Sequence, residues 1–502
     1  MTSGAQGQTS AGQRRANVFS RWLALGLAAL AVSLAGCSTS RFGAIDPAVL
    51  PKQERRTAAA EPTSPQQREH LRILSAYGGA YSNPRLQVML EQTVDKLVAA
   101  SERPDLKYDV TILNSPAVNA FALPNGQLYV TRGLIALAND NSELASVLAH
   151  EMAHVIARHA EIREDQARQA AVVNRVATDL LSDPQLGALA LAKSKIALAN
   201  FSRAQEFEAD GIGVGISARA GFDPYGAERF LTSMGANAQL RSSQRTSIDP
   251  RAPDFLSSHP ATPERVTNAV ANARQYTGPG AGAREKAAYL ADLDGMVYGE
   301  DPSEGFVRGR RFLHPKLGFT FTSPEGFALD NTAHAVFGVK DNGSQALRLD
   351  VVSVPAEQPL PDYLNSGWIE NIDPKSIEEI TVGGFPAATA TAQGDQWSFR
   401  LYVVRFGSEV YRMIFAGKHR TEAADRVFRE SLNTFRRMTS AEMAQAQPLR
   451  LKLVEVKSGD TVEKLAHRMA VGERPVERFR VLNGLGEHDR LKPGDLVKIV
   501  VE

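Results

Sequence analysis

The sequence is poor in cysteine, in net charge and in long apolar runs. Its 502 residues contain a single cysteine, Cys37, which excludes an internal disulfide. The 57 basic and 56 acidic residues leave a formal charge of +1, so we expect no nucleic-acid partner. An apolar content of 43% is normal for a chain that lives mainly in water. A chain of this length exceeds one ordinary core, and we expect roughly two to four domains.

A short apolar run at residues 22–35 follows three arginines near the N-terminus. Its 14 residues suit the core of a signal peptide and are too few to span a bilayer comfortably. The run ends in Leu34-Ala35-Gly36-Cys37, which resembles a bacterial lipobox. The resemblance implies a signal peptide over residues 1–36, a lipid anchor on Cys37 and, with serine rather than aspartate at position 38, attachment to the outer membrane on its periplasmic side. The alternative is a soluble secreted protein with an unused thiol.

Two histidines with an intervening glutamate, His150, Glu151 and His154, form the most informative motif. Side chains at i and i+4 lie on one helix face, so the two imidazoles can converge on one cation and Glu151 can act as base. The spacing of Asp140 and Glu143 predicts a capping box at the start of this helix. No proline or glycine follows before residue 163, which predicts that the helix continues that far.

A third metal ligand is available in a second predicted helix. A catalytic zinc site needs three protein ligands and one open position. Glu206 can supply the third ligand, and Asp210, one helical turn later, can accept the free N–H of a zinc-bound imidazole. The alternative is that Glu206, Glu208 and Asp210 form a solvated acidic face.

Four sequence segments carry a family resemblance. They are HEMAH at 150–154, SRAQEFEAD at 202–210, NAFALPNG at 119–126 and YVTRGL at 129–134. In their order along the chain they resemble the HtpX/BepA-like gluzincin metallopeptidases, also described as CAAX-protease-like, over about residues 68 to 275. The resemblance implies that His150, His154 and Glu206 bind Zn²⁺ and that Glu151 is the general base. Asn125 departs from the glycine of many relatives, and asparagine tolerates the same turn.

Two further segments bear on substrate binding and regulation. Residues 128–131 alternate in strand fashion after a turn and form either an edge strand, to which an extended substrate adds, or an ordinary buried strand. Asn119, Ala120 and Phe121, before that turn, are the candidate substrate-strand residues. The segment around His259 resembles the histidine-proline motif of the family, which implies a regulatory metal ligand or an oxyanion partner. The alternative is a loop histidine bonded to backbone.

The remaining segments before residue 441 predict further helices, one strand and an α+β domain. Residues 70–97, 162–181, 186–199 and 284–298 are predicted to be helical, and residues 108–113 form a predicted strand. Apolar and aromatic runs at 319–322, 347–354, 397–406 and 409–415, followed by a helix at 421–435, predict an α+β domain with an antiparallel sheet. This domain is similar to small PsbP/Mog1-like modules, and no chemistry is assigned to it.

The C-terminal segment, residues 452–501, resembles a LysM module. The resemblance rests on VKSGDTV at 456–462 and LKPGDLVKI at 491–499. It implies a small βααβ domain that binds N-acetylglucosamine-containing glycans, and hence peptidoglycan, between two loops. The loops consist of Gly459, Asp460 and Thr461 and of Lys492, Pro493 and Gly494. The alternative is a domain of the same shape without a ligand.

Together these observations predict a multidomain fold. A mainly α zincin-type peptidase domain with a small β-sheet precedes the α+β domain and the βααβ domain. The predicted boundaries are a signal peptide at 1–36, a flexible tether at 37–67, the peptidase domain at 68–276, a linker and helix at 277–300, the α+β domain at 301–440 and the LysM-like domain at 441–502.

The leading hypothesis is a lipid-anchored periplasmic zinc endopeptidase that degrades misfolded or stalled envelope proteins, a role in protein quality control. One alternative is an assembly chaperone or binding scaffold with a metal site latched by His259. Another is a cell-wall-binding protein that acts on peptidoglycan stems.

Overall fold

The computed structural model describes residues 64–165, 168, 201–242, 259–260, 262–332, 335–340, 343–394, 396–419 and 421–502. The predicted signal peptide, Cys37 and the tether up to residue 63 lie outside the described residues, as do the predicted helix at 186–199 and most of the one at 162–181. The last three residues of the predicted tether, 65–67, belong instead to the first helix, because Ser64 caps it and Pro65 suits its first position. Among the described helices, none combines the length and apolar character needed to span a membrane.

Within the described ranges, eight helices of known extent build the N-terminal region. They are α1 (Pro65–Ala76), α2 (Pro84–Ala100), α3 (Arg132–Leu137), α4 (Asn141–Ile156), α5 (Arg203–Arg219), α6 (Gly226–Ser242), α7 (Pro263–Arg274) and α8 (Lys286–Leu293). Short polar side chains cap several of them, and Asp140 accepts the backbone N–H of Glu143 at the start of α4. Only this half of the predicted capping box forms, because the Glu143 carboxylate accepts the backbone N–H of Asn139 instead of that of Asp140.

Three predicted helices differ in extent. The helix predicted over residues 70–97 is two helices, because Asn83 caps a new one whose first residue is a proline. The helix predicted over 284–298 ends at Leu293, and the chain continues through Gly295 into strand β4 (Val297–Tyr298). Helix α4 ends at Ile156 rather than near residue 163, because Arg158 adopts a left-handed conformation with φ of 58°.

A three-stranded sheet lies beside α4. Its strands are β1 (Asp109–Leu113), β2 (Ala120–Ala122) and β3 (Gln127–Thr131), in the order β1-β3-β2. Strand β3 is parallel to β1 and antiparallel to β2, so residues 128–131 form the central, buried strand. The edge-strand interpretation of that segment is therefore wrong. Strand β2, which contains Ala120 and Phe121, is at the edge and contacts α4.

Helices α4 and α5 approach closely at Gly213. A Cβ atom at this position would lie 3.0 Å from the backbone nitrogen of His150. Glycine therefore lets the α5 backbone pack directly against the centre of α4. The other face of α4 belongs to the largest apolar core, which includes Leu144, Leu148 and Met152.

The second region, residues 306–445, is built on antiparallel strands. They are β5 (Phe306–Arg308), β6 (Arg311–His314), β7 (Phe319–Thr322), β8 (Ala328–Asn331), β9 (Val336–Lys340), β10 (Gln345–Val352), β11 (Glu378–Val382), β12 (Phe385–Gln393), β13 (Ser398–Phe406), β14 (Glu409–Gly417) and β15 (Arg436–Arg437). They form one sheet in the order β15-β7-β6-β5 and another in the order β11-β12-β13-β14-β10-β9-β8.

Short helices complete this region. They are α9 (Leu360–Leu364), a 3-10 turn (Pro374–Ser376), α10 (Glu422–Asn433) and α11 (Ser440–Gln445). Helix α10 packs on the larger sheet, where Phe428 stacks on Phe415 with ring centroids 4.5 Å apart. The predicted order, a mainly helical region followed by an antiparallel α+β region, is confirmed.

The C-terminal region packs against the helical region. It consists of β16 (Leu449–Glu455), α12 (Val462–Ala466), α13 (Pro475–Leu482) and β17 (Leu496–Val501). Strand β16 pairs with both β17 and β4, so one sheet joins the two regions. Buried Lys498 on β17 donates hydrogen bonds of 2.7 Å to the carbonyl oxygens of Ala136 and Ala138, just before α4. The two regions therefore share one core.

Candidate metal centre

Four buried side chains from three parts of the chain converge at one point. His150 and His154 come from α4, Glu206 from the first turn of α5, and His259 from the residues before α7. One ligand atom from each lies within 4.8 Å of the others. The fold therefore brings Glu206, which is 52 positions after His154 in the chain, to the histidine pair, as the metal-site hypothesis requires.

The separations of these atoms suit a tetrahedral cation. The Nε2 atoms of His150 and His154 lie 3.1 Å apart. His150 Nε2 lies 3.6 Å from Glu206 Oε2, and His154 Nε2 lies 3.6 Å from Glu206 Oε1. A tetrahedral zinc with bonds of about 2.0–2.1 Å would separate its ligand atoms by about 3.3–3.4 Å. Two imidazoles and one carboxylate are also a donor set that zinc accepts. The residues present therefore fit a zinc ion.

His150 is supported by a buried carboxylate and a buried guanidinium. Its Nδ1 lies 3.1 Å from Asp210 Oδ1, the partner that helical spacing predicts. Burial opposes protonation of His150, but Asp210 and Glu206 outweigh it and raise the pKa of His150 to about 9. Carboxylates that stabilise an imidazolium here would stabilise a metal cation in the same way.

Arg265 is a site residue that the sequence interpretation missed. It donates to both carboxylate oxygens of Asp210, at 2.6 and 2.8 Å. Its Nη1 also lies 2.7 Å from Glu206 Oε2, an ion pair without hydrogen-bond alignment. Burial favours neutral carboxyls, yet His150 and His259 keep the pKa of Glu206 below its usual range, and Arg265 and His150 do the same for Asp210. Arg265 lies in the first turn of α7, three residues after the N-cap Thr262. Helical periodicity within α7 does not connect this position with Glu206 or Asp210 on α5.

Glu151 is buried beside the cluster. Its Oε1 has no hydrogen-bond partner among the described residues and lies 3.8 Å from His259 Nε2. Burial raises the pKa of the Glu151 carboxyl. A carboxylate of raised pKa is a stronger base, and a free oxygen atom beside the cluster can accept a proton from a reacting group.

His154 is supported by different groups, which the sequence interpretation also missed. Its Nδ1 lies 2.8 Å from Nδ1 of buried His159, and the Phe201 ring stacks on its imidazole at 4.1 Å. His159 Nε2 in turn lies 3.3 Å from Glu208 Oε2. Neither partner lies at a helical spacing from His154, so periodicity could not find them.

His259 lies inside the cluster. Its Nδ1 is 2.8 Å from Glu206 Oε1 and 3.4 Å from His150 Nε2. A purely loop-bound histidine would not contact these atoms, so the geometry favours a position at the metal. Whether it acts as regulatory ligand or oxyanion partner stays a prediction.

The other candidate residues lie outside the cluster. The backbone N–H of Asn119 donates to the Thr131 hydroxyl, and its carbonyl oxygen accepts the Thr131 backbone N–H. The Asn119 side chain donates to the Tyr77 hydroxyl at 2.8 Å. Phe121 on β2 stacks on Tyr129 with centroids 5.0 Å apart. The predicted glycan-binding residues occupy two turns of the C-terminal region, where all are exposed except Asp460, which is half-buried. The backbone of Gly494 bonds to Val456, which brings these turns side by side.

Comparisons with known proteins cover the helical region. Residues 84–273 match the model of Peptidase family M48. The chain is 32% identical to a putative beta-barrel assembly-enhancing protease of Vibrio cholerae over 41% of its length and 43% of that protein. It is 30% identical to the beta-barrel assembly-enhancing protease of Escherichia coli, over 41% of this chain and 42% of that one.

Two further similarities are of different kinds. A mitochondrial metalloendopeptidase of Schizosaccharomyces pombe is 32% identical over 39% of this chain and 56% of its own. The chain thus matches less than half of the bacterial relatives and little more than half of this one. The solved structure of a cyanobacterial PsbP from Synechocystis covers 26% of this chain and 96% of its own at 14% identity, with a TM-score of 0.21 that supports no conclusion about the fold.

Proposed function

We propose that the chain is a zinc-dependent endopeptidase, because residues 84–273 match the model of Peptidase family M48. The observation that carries this proposal is the convergence of Glu206 on the paired imidazoles of His150 and His154. We assign those three residues as metal ligands, Asp210 as the hydrogen-bond partner of His150, and Glu151 as general base.

The mechanism follows from the position of Glu151. A zinc ion held by the three ligands would supply the Lewis acidity that lowers the pKa of water and polarises a peptide carbonyl. Glu151 takes the proton of the attacking water and later passes it to the leaving amine. One water is consumed for each peptide bond broken, and no covalent bond to the enzyme forms.

Strand β2 supports an extended mode of substrate binding. Its outer edge is unpaired among the described strands, and it contacts α4, the helix of Glu151. A peptide in extended conformation can add to such an edge through backbone hydrogen bonds, which permits loose sequence preference. We therefore place the substrate beside Ala120 and Phe121.

We assign the substrates to unfolded or misassembled envelope proteins. Three features support this: the lipobox-like sequence at Cys37, the signal-peptide-like run before it, and relatives named for beta-barrel assembly. In this proposal the chain is anchored to the outer membrane in the periplasm, and the two exposed turns of the C-terminal region contact peptidoglycan glycans.

The decisive experiment compares two glutamate variants. Purified protein should cleave an unfolded model protein, lose this activity with a chelator and regain it with Zn²⁺. Glu151→Gln should lose cleavage by roughly 10²-fold or more while it retains zinc, because the general base is gone. The exposed Glu164→Gln is the matched control and should cleave normally. Undiminished cleavage by Glu151→Gln would reject the mechanism.

A second candidate function is favoured by the position of His259. If its Nδ1 occupies the fourth metal position, the site is latched, and the chain acts mainly as an assembly chaperone or scaffold. His259→Ala should then increase cleavage, whereas loss of cleavage would identify an oxyanion partner. Binding of unfolded client protein that persists in Glu151→Gln would support the scaffold.

A further inference from the structure

We propose that His159 and Glu208 position His154 for metal binding through a relay of hydrogen bonds that sets the tautomer of both imidazoles. The inference rests on the proposed function, because it requires a metal ion at His154. It assigns roles to His159 and Glu208, which are neither proposed metal ligands nor the predicted hydrogen-bond partner Asp210.

The relay runs from the buried site to the surface. His154 Nδ1 lies 2.8 Å from His159 Nδ1, and His159 Nε2 lies 3.3 Å from Glu208 Oε2. The His159 side chain is 1% exposed, whereas that of Glu208 is 59% exposed. A buried imidazole thus connects a proposed metal ligand with a carboxylate that reaches solvent.

Metal binding determines where each proton lies. A metal ion at His154 Nε2 requires that this nitrogen be unprotonated, so Nδ1 of the neutral ring carries the proton. That N–H can donate only if His159 Nδ1 is unprotonated, which places the His159 proton on Nε2. The Nε2–H then points at Glu208. His154 Nδ1–H therefore donates to His159, His159 Nε2–H donates to Glu208, and Glu208 accepts.

The backbone is shaped to make this contact. In a continuous helix, residues five apart are rotated by roughly 140° about the axis, so positions 154 and 159 would face apart. The left-handed Arg158, with φ of 58°, ends α4 and redirects the chain before helical structure resumes at residues 159–165. A non-glycine residue in this conformation is uncommon and is found where surrounding contacts require it.

The two proposed histidine ligands therefore have unequal partners. Buried Asp210 accepts from His150 as a full negative charge, while neutral His159 accepts from His154. Loss of such a partner weakens metal binding by roughly 10–100-fold in other metalloproteins. We expect removal of the His159 acceptor to fall in this range.

The test uses substitutions of equal size. Asn places its side-chain oxygen near the position of a histidine Nδ1, so His159→Asn keeps the acceptor, and His159→Leu has nearly the same shape without it. Glu208→Gln removes the terminal charge. Glu264→Gln is its matched control. Glu264 is 59% exposed, as Glu208 is, but its partner is Arg203 and not a histidine of the relay. The measurement is the Zn²⁺ affinity of the purified full chain by competition with a chromogenic chelator, with thermal unfolding in excess chelator as the folding control.

The expected order of affinities is specific. His159→Leu should bind Zn²⁺ roughly 10–100-fold more weakly than wild type, and His159→Asn should remain within a few-fold. Glu208→Gln should weaken binding by a few-fold and Glu264→Gln should not change it. Wild-type affinity in His159→Leu, or equal losses in the Leu and Asn variants, would overturn the relay. Equal affinities for Glu208→Gln and Glu264→Gln would remove Glu208 from it, and a wild-type chain that binds no Zn²⁺ would reject the proposed function itself.

Discussion

The two ends of helix α4 are held by different kinds of contact. At its first turn, Asp140 is fully buried and accepts from Arg284 at 2.7 Å and from Arg229 at 3.2 Å. These cations outweigh burial and keep the pKa of Asp140 below its usual range. Glu143 beside it lies 3.5 Å from Arg229 Nε and is near buried Lys498. The matched charges of Asp140, Arg229 and Arg284 fix this end, whereas burial raises the pKa of Glu143 to about 7 and lowers that of Lys498 to about 7.

The last turn of α4 has no such network among the described residues. Beyond His154 the helix ends before the left-handed Arg158, and the imidazole contacts the His159 ring and the Phe201 ring. Between the two ends, His150 contacts a charged pair, Asp210 and Arg265. Ionic contacts thus position the helix and one proposed ligand, while a second imidazole and an aromatic ring contact the other.

The largest effect is expected from Arg265→Met, which would remove the guanidinium that two buried carboxylates, Glu206 and Asp210, share. The free energy of unfolding in a chelator should fall by about 3–5 kcal/mol, the usual result of breaking a buried ion pair. Zn²⁺ should restore part of this loss, because the cation compensates Glu206 and Asp210. Urea unfolding without Zn²⁺ measures the loss, and urea unfolding with Zn²⁺ measures how much of it is restored. Arg274→Met, at an exposed position, is the control. An equal loss in both conditions would show that Arg265 acts only through packing.

Asp210→Asn tests whether charge distinguishes the two ligands. The amide keeps an acceptor for His150 but removes the negative charge, so Zn²⁺ affinity should fall by roughly 10–100-fold. The same titration on His159→Asn should show a much smaller change. If the two asparagine variants bind Zn²⁺ equally well, the distinction between the two ligands is wrong.

Lys498→Met tests the anchored end from the C-terminal region. The carbonyl oxygens of Ala136 and Ala138 would lose their donor, and the free energy of unfolding should fall by about 1–3 kcal/mol. Lys452→Met, on the neighbouring strand and 55% exposed, should change it by about 0.5 kcal/mol or less. Zn²⁺ affinity should stay unchanged, and a loss as large as that of His159→Leu would show that the two ends are coupled.

The smallest effect is expected from Phe201→Leu at the other end. It removes the ring stacked on His154, a contact worth about 0.5–1.5 kcal/mol. Zn²⁺ affinity should fall by less than tenfold. Phe337→Leu is a matched control, because Phe337 is also half-buried beneath an arginine. A loss larger than that of His159→Leu would identify stacking, rather than the hydrogen bond, as the main orienting contact.

Sequence reasoning found the residues whose relation is local. The spacing of His150 and His154, the cap at Asp140 and the pair Glu206 and Asp210 each depend on helical periodicity within a few residues. The strands at 319–322, 347–354, 397–406 and 409–415 and the helix at 421–435 also agree with the observed elements to within two residues at either end.

Other features could not be derived this way. The exchange of edge and central positions between β2 and β3 depends on pairing with β1, which no local pattern reveals. Lys498 reads as an ordinary strand residue, and its burial depends on a surface more than 350 positions away, as its bonds to residues 136 and 138 show.

The sequence by itself determined which side chains could form a metal site, because ligand type and helical spacing are properties of short segments. Only the tertiary structure decided that Glu206 and His259 meet the pair on α4, that Arg265 compensates two buried carboxylates, and that His159 turns back toward His154. The physical reason is that these contacts depend on how separate helices pack and on one backbone bend at Arg158, and neither is encoded in local periodicity.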